Sequence, residues 1–235
     1  MKVFIMAGQS NMVGQGIMGL VPPIVDEKVK IFRGENWEVA TEPFNPSLGS
    51  NRGVNLGPSF AQKLREVDDV EIGFIYCPVG ASWLHQWQPG EEIYEEAVKR
   101  CKAGLVGNEL AGMLWLQGEQ DCDTDEHAET YHDRFLSFLA ALEQDIGEKD
   151  FPVIISELGD YLGTYDYCKD RYQTINKEIG RIAASSPRFE VVNADGFEPN
   201  EPEDPAHING AGQRELGRRF AAAWAKLSAR LGIKL

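Results

Sequence analysis

The chain has 235 residues, 43% of them hydrophobic and 26% charged, a composition that suits one large globular domain with a sizeable buried core. A formal net charge of -14 at pH 7 repels nucleic acid and anionic membranes, so neither is expected as a partner. No run approaches the roughly 20 apolar residues that span a bilayer.

Lys2-Val3-Phe4-Ile5-Met6-Ala7 is an apolar, partly β-branched run that reads as a buried strand. It is too short for the apolar core of a secretory signal, so a cytoplasmic location is expected. Gly8-Gln9-Ser10-Asn11-Met12 breaks it at once. In an open parallel sheet, ligands bind at the carboxyl ends of the strands. A serine there reads equally as a nucleophile or as the N-cap of the next segment.

Val13 to Pro58 is rich in Gly and Pro and reads mostly as loop, with a small hairpin over Val29–Phe32 and Trp37–Ala40. Long loops in compact domains are usually functional, and this one is expected to wall the site near Ser10. Phe60, Ala61, Leu64 and Val67 recur at helical spacing and predict a helix over Pro58–Val67. Further strands are expected at Val70–Val79, Leu110–Gln117, Phe151–Ser156 and Phe189–Asn193. Further helices are expected at Glu91–Leu105, Asp125–Ile146, Asp166–Ser185 and Asn209–Leu231, the last with Asn209 as N-cap. Strands alternating with helices mark a parallel sheet covered on both faces. The expected fold is a three-layer α/β/α sandwich around a five-stranded parallel sheet, as one domain over residues 1–235.

The four cysteines (Cys77, Cys101, Cys122 and Cys168) are scattered, with no CxxC pair and no metal-ligand spacing. A reducing compartment fits them, and two disulfides remain open at this point.

Turns after the strands place polar or glycine residues at one edge of the sheet: Ser10, then Gly80, then Gln117 and Glu119. After the fifth strand an acidic loop leads into Asp204-Pro205-Ala206-His207. A serine is a poor nucleophile without a base, and the base needs an orienting group. Of the four histidines, His127 and His132 lie five apart on the long helix and read as solvated or partly packed. His85 lies in the Trp83–Trp87 loop, open to a substrate. His207 has Asp204 three residues ahead of it, so one short turn can bring the carboxylate to Nδ1 while Nε2 faces Ser10. The competing reading is that Asp204 only caps a turn. Serine chemistry needs both partners, which favours Ser10, Asp204 and His207 as a catalytic set. Backbone N–H groups of Ser10 and Gly80 are candidate oxyanion donors, with the Gln117 side chain as a third and Gln9 as its rival. Asp121-Cys122-Asp123-Thr124-Asp125 begins like a calcium loop. It then has Glu126 where glycine is needed and His132 where glutamate is needed. Gly8-Gln9-Ser10-Asn11-Met12 lacks the second glycine of the α/β-hydrolase elbow, and no phosphate-binding loop is present.

Ala7-Gly8-Gln9-Ser10-Asn11-Met12, Pro78-Val79-Gly80-Ala81-Ser82, Trp115-Leu116-Gln117-Gly118-Glu119-Gln120-Asp121 and Asp204-Pro205-Ala206-His207 resemble the blocks of SGNH-type hydrolases, in the family's order. The branch they are most similar to is that of sialate O-acetylesterases and family 6 carbohydrate acetylesterases. The resemblance implies a flavodoxin-like sandwich, a Ser10 nucleophile, a His207 base and an Asp204 orienter. It also implies an oxyanion hole of Ser10, Gly80 and Gln117, with no metal and no cofactor. Ala81 stands where many relatives have a second glycine. The implied activity removes O-acetyl groups from a carbohydrate, such as an acetylated xylo-oligosaccharide or a sialic-acid-type sugar. Gln9, Asn11 and Glu119 are candidate substrate contacts. Trp83 and Trp87 read equally as a stacking surface for the sugar ring or as core. A non-catalytic carbohydrate-binding protein, or a lipase or thioesterase of the same fold, are the alternatives.

Overall fold

The computed structural model describes residues 1–49 and 51–235. In chain order the first elements are β1 (Lys2–Gly8), α1 (Ser10–Val13), β2 (Gly16–Ile17), β3 (Val29–Arg33), β4 (Asn36–Val39) and β5 (Arg52–Val54). Next come α2 (Gly57–Arg65), β6 (Ile72–Tyr76), α3 (Glu92–Leu105), β7 (Glu109–Leu116), α4 (Asp125–Glu129) and α5 (Tyr131–Ile146). The chain closes with β8 (Val153–Ser156), α6 (Tyr172–Ser185), β9 (Phe189–Val192), β10 (Pro199–Glu201), β11 (Asp204–Ile208) and α7 (Gly210–Leu231).

The sheet order is β4-β3-β6-β1-β7-β8-β9. The five expected strands are β6, β1, β7, β8 and β9, all parallel, in the order 2-1-3-4-5 of a flavodoxin-like sheet. The expected count of five is corrected to seven. The hairpin expected within the Gly- and Pro-rich stretch exists, but it joins the sheet, with β3 parallel to β6 and β4 antiparallel at the edge. In that order the topological switch lies between β1 and β7, where neighbouring connections leave on opposite sides and open a crevice.

Side chains alternate across the sheet and assign the helices to two layers. Phe4 meets Phe60 of α2 and Trp224 of α7, each edge to face at 5.0 Å. Trp115 points the other way, onto Phe135 and Phe138 of α5. Gly8 ends β1 at φ 134, where a Cβ would lie 2.0 Å from Leu116 O, so the close approach of β1 to β7 at the crevice requires glycine.

Two expected helices are shorter than their patterns. The long one breaks at Thr130, whose Oγ1 donates back to Glu126 O at 2.7 Å, a bond known to bend helices. The helix expected from Asp166 begins only at Tyr172. Residues 165–171 fold as successive tight turns, held where the Cys168 thiol donates to Glu119 O. The four cysteines are free and buried.

The long loop is pinned to α7 by a buried ion pair. Arg214 donates to both carboxylate oxygens of Glu42 and to Asn55 O and Pro22 O, while Glu42 also accepts from Asn55 N. The two side chains are only 8% and 5% exposed. Breaking such a pair leaves a buried charge alone, so Arg214→Ala is expected to cost about 3–5 kcal/mol in urea unfolding. A loss under about 1 kcal/mol would show that the loop is held by other contacts.

Candidate active site

The carboxyl ends of β1, β6 and β7 carry Ser10, Gly80 and the Gln117–Gln120 turn to one edge. The segment after β9 is not the loop expected from its acidic residues. It is a two-stranded hairpin, β10–β11, and Asp204 and His207 both lie on β11.

His207 Nδ1 lies 2.6 Å from Asp204 Oδ1. The other carboxylate oxygen accepts from Arg52 Nη1 and, at 3.1 Å, from Asn200 Nδ2. Asn200 also donates to Gln15 O at 2.9 Å. Burial pushes the Asp204 carboxyl up, but the bonds from Asn200 and Arg52 and the adjacent imidazole outweigh it and hold it below the usual carboxylate range. It is therefore ionised at neutral pH, Nδ1–H donates to it, and Nε2 is left as the basic nitrogen. Burial lowers the His207 pKa below the ordinary 6.5, with the Asp204 charge opposing. The imidazole is neutral at pH 7 and equipped to take a proton.

Ser10 and His207 line one cavity of about 350 Å³ with Gly80. The Ser10 hydroxyl makes no hydrogen bond among the described residues. Ser10 N–H opens α1 and Gly80 N–H lies in a turn, and neither donates to another group. A Cβ on Gly80 would meet nothing within 4 Å, so its amide is open to an approaching ligand. Ala81 beside it holds φ 54, in the left-handed region that glycine adopts with the least strain.

The remaining sequence-derived residues divide. Gln9 and Glu119 line the cavity. Gln9 Oε1 accepts from Gly118 N at 3.3 Å and Gln120 N at 3.2 Å, which fixes its amide and leaves Nε2 unspent. Glu119 is buried, with Oε1 accepting from Asn11 Nδ2 at 2.6 Å, and burial pushes its carboxyl up. Gln117 is a correction. It is fully buried, and Nε2 donates to Ser82 O at 3.0 Å and Asp121 Oδ2 at 2.6 Å. Both its hydrogens are spent away from the cavity. Asn11 is a second correction: it is fully buried and bonds Glu119, Tyr161 OH, Ala206 O and Ile208 N, tying the serine turn to β11. Trp87 is a third, being core against Trp115 and Phe138 at 5.2 and 5.8 Å. Trp83 is outside the cavity lining too. Its Nε1 donates to Asp123 and its ring stacks on His85. Asp121, the first residue of the calcium-like run, is spent on Arg134, Gln117 and Leu84 N.

Sequence reasoning missed Arg52, Asn200, Gln15, Gln120, Tyr165 and Tyr167. Arg52 and Asn200 hold Asp204, and the other four line the cavity. No local signal marks Arg52, which reaches Asp204 across 152 positions. Among the described residues, no helix is long and apolar enough to cross a membrane.

Residues 1–226 match the family described as carbohydrate esterase, sialic acid-specific acetylesterase. A probable carbohydrate esterase of Arabidopsis thaliana is 27% identical over 244 residues, covering 95% of this chain and 90% of its own. A crystal structure of an Arabidopsis thaliana protein superposes with a TM-score of 0.83 at 24% identity, over 96% of this chain and 98% of that one. The protein NanS superposes with a TM-score of 0.77 at 17% identity, over 97% and 98%. A family match across nearly the whole length, on a flavodoxin-like sheet shared with these neighbours, places the chain in the sialic acid-specific acetylesterase family of carbohydrate esterases, as a carboxylic ester hydrolase.

Proposed function

We propose that the protein is a serine esterase that removes O-acetyl groups from a carbohydrate through an acetyl-enzyme intermediate. The observation that carries this reading is the shared cavity of Ser10 and an imidazole whose Nδ1 is held by an ionised Asp204. Ser10 Oγ attacks the acetyl carbonyl and its proton passes to His207 Nε2. The oxyanion accepts from Ser10 N–H, Gly80 N–H and Gln9 Nε2, the last in place of Gln117. The C–O bond to the sugar breaks as His207 returns the proton to the leaving oxygen. Water, deprotonated by His207, then attacks the acetyl-enzyme, and acetate leaves as the bond to Ser10 Oγ breaks and His207 returns the proton to that oxygen. The amide- and hydroxyl-bearing lining suits a sugar better than the long apolar groove a lipase needs.

A fluorophosphonate probe tests this directly. The folded protein is expected to gain one adduct, on the peptide containing Ser10, and the heat-denatured protein none. No adduct, together with no acetate released from acetylated sugars, would leave the binding-protein reading in its place.

A further inference from the structure

Two tyrosines line the cavity that holds Ser10 and His207, and the triad leaves both unused. Tyr165 and Tyr167 lie on the turns after β8, with ring centroids 6.0 Å apart and planes inclined by 27°. Tyr167 is the one aromatic among the exposed large apolar side chains of the described residues, at 36% exposure. It is nevertheless anchored, because its hydroxyl donates to Gln120 O at 3.1 Å. An exposed aromatic held flat by a hydrogen bond costs little entropy when a ligand covers it.

The polar side chains beside the shelf are amides, and the one acidic side chain in the lining among the described residues is the buried Glu119. Gln15 and Gln120 line the cavity, and their side-chain amides bond no other group among the described residues. An amide both donates and accepts, which is what a hydroxyl requires. No lysine or arginine lines the cavity among the described residues. Arg52 is spent on Asp204. Arg33 and Arg100 line a separate groove that also touches Gly80, paired with Glu38 and Glu96. A carboxylate on the substrate would therefore enter a cleft offering no cation, on a protein of net charge -14.

We propose that Tyr165 and Tyr167 form a stacking shelf, flanked by Gln15 and Gln120, that holds the ring of an uncharged acetylated sugar and sets the enzyme's preference against acidic sugars such as sialates. The proposal rests on the esterase reading of the same site. The C–H face of a pyranose lies on the tyrosine pair, and its hydroxyls bond the two amides, which presents the acetyl group to Ser10.

Three esters separate the possibilities: ethyl acetate, which has no ring, a mono-O-acetylated methyl xyloside, and an O-acetylated sialic acid. The native enzyme is expected to show kcat/KM at least tenfold higher on the xyloside than on the sialate. Tyr167→Ala is expected to lose about tenfold on the xyloside and less than twofold on ethyl acetate. Tyr167→Phe keeps the ring and is expected to retain most of the activity. Equal losses on both esters in Tyr167→Ala, or a sialate turned over as fast as the xyloside, would overturn the shelf. If no ester is turned over, the esterase reading falls separately, and calorimetric titration of Ser10→Ala with the xyloside decides. Binding that weakens on adding Tyr167→Ala supports the shelf, and no binding or unchanged binding removes it.

Discussion

Ser10→Ala is expected to lower acetate release from an acetylated sugar by at least about 10⁴-fold, roughly 5.5 kcal/mol of barrier, with the fold unchanged. The two halves of this expectation have separate grounds. The rate falls because the attacking oxygen is gone, and neither the oxyanion donors nor His207 can replace it. The fold survives because the Ser10 hydroxyl bonds to nothing among the described residues, while the serine turn is held by Asn11 and by Gln9 N, which donates to Leu116 O at 2.9 Å. Steady-state acetate release and a thermal melt on the same sample check both. A rate loss of less than about tenfold would remove Ser10 as the nucleophile. A large fall in Tm would mean that the turn, not the chemistry, was lost.

Asp204→Asn is expected to cost about 10⁴-fold in kcat, because an amide no longer secures the tautomer with the proton on Nδ1. The pH profile adds a second readout. The neutral imidazole is the active form, so activity rises with pH through the His207 pKa. In the native protein burial holds that pKa below 6.5 against the opposing Asp204 charge. The acidic limb of kcat/KM should therefore have its midpoint below 6.5. Removing the Asp204 charge removes the opposition, so the limb moves further to acid even as the plateau drops. A limb that moves to higher pH, or a plateau within tenfold of native, would show that Asp204 does not orient His207. Because the folded pKa of Asp204 lies below its unfolded value, its carboxylate contributes stability above the unfolded pKa, and this is lost as pH falls through the folded one.

What the sequence made legible follows from locality. β1, β6, β7 and β8 are dominated by apolar residues on both faces, and a buried parallel strand declares itself as a continuous run; β9, at the sheet edge, is apolar but for Glu190. Asp204 and His207 were legible because three residues separate them and the bond is local. The pairing of β3 with β6 was not, since it joins segments about forty positions apart that carry no mark of each other. Arg52 was hidden for the same reason. Gln117 misled through strand geometry. It lies two residues beyond Trp115 and so shares its face, where both reach Tyr131: Trp115 donates to the hydroxyl and Gln117 Oε1 accepts from it. Of the two shelf tyrosines, Tyr167 was concealed inside a segment whose composition reads as the start of a helix, and Tyr165 stands just before it. Trp83 and Trp87, the more conspicuous aromatics, went to Asp123 and to the core.

The pair that fixes the proton stands outside the seven-stranded sheet. Asp204 and His207 ride on a short hairpin whose residues, apart from Ile208, are not buried, and whose tethers are polar: Arg52 and Asn11 reach it, and its own Asn200 donates to Gln15 O. Elements with few buried apolar contacts open at a lower free energy than a core does. Opening of the hairpin and global unfolding are thus expected to be two different equilibria in this chain. Warming or mild denaturant is expected to abolish activity by lifting the hairpin while β1 and its neighbours stay zipped. Inactivation of this kind is expected to reverse on cooling, because the sheet that the hairpin must find again has not come apart.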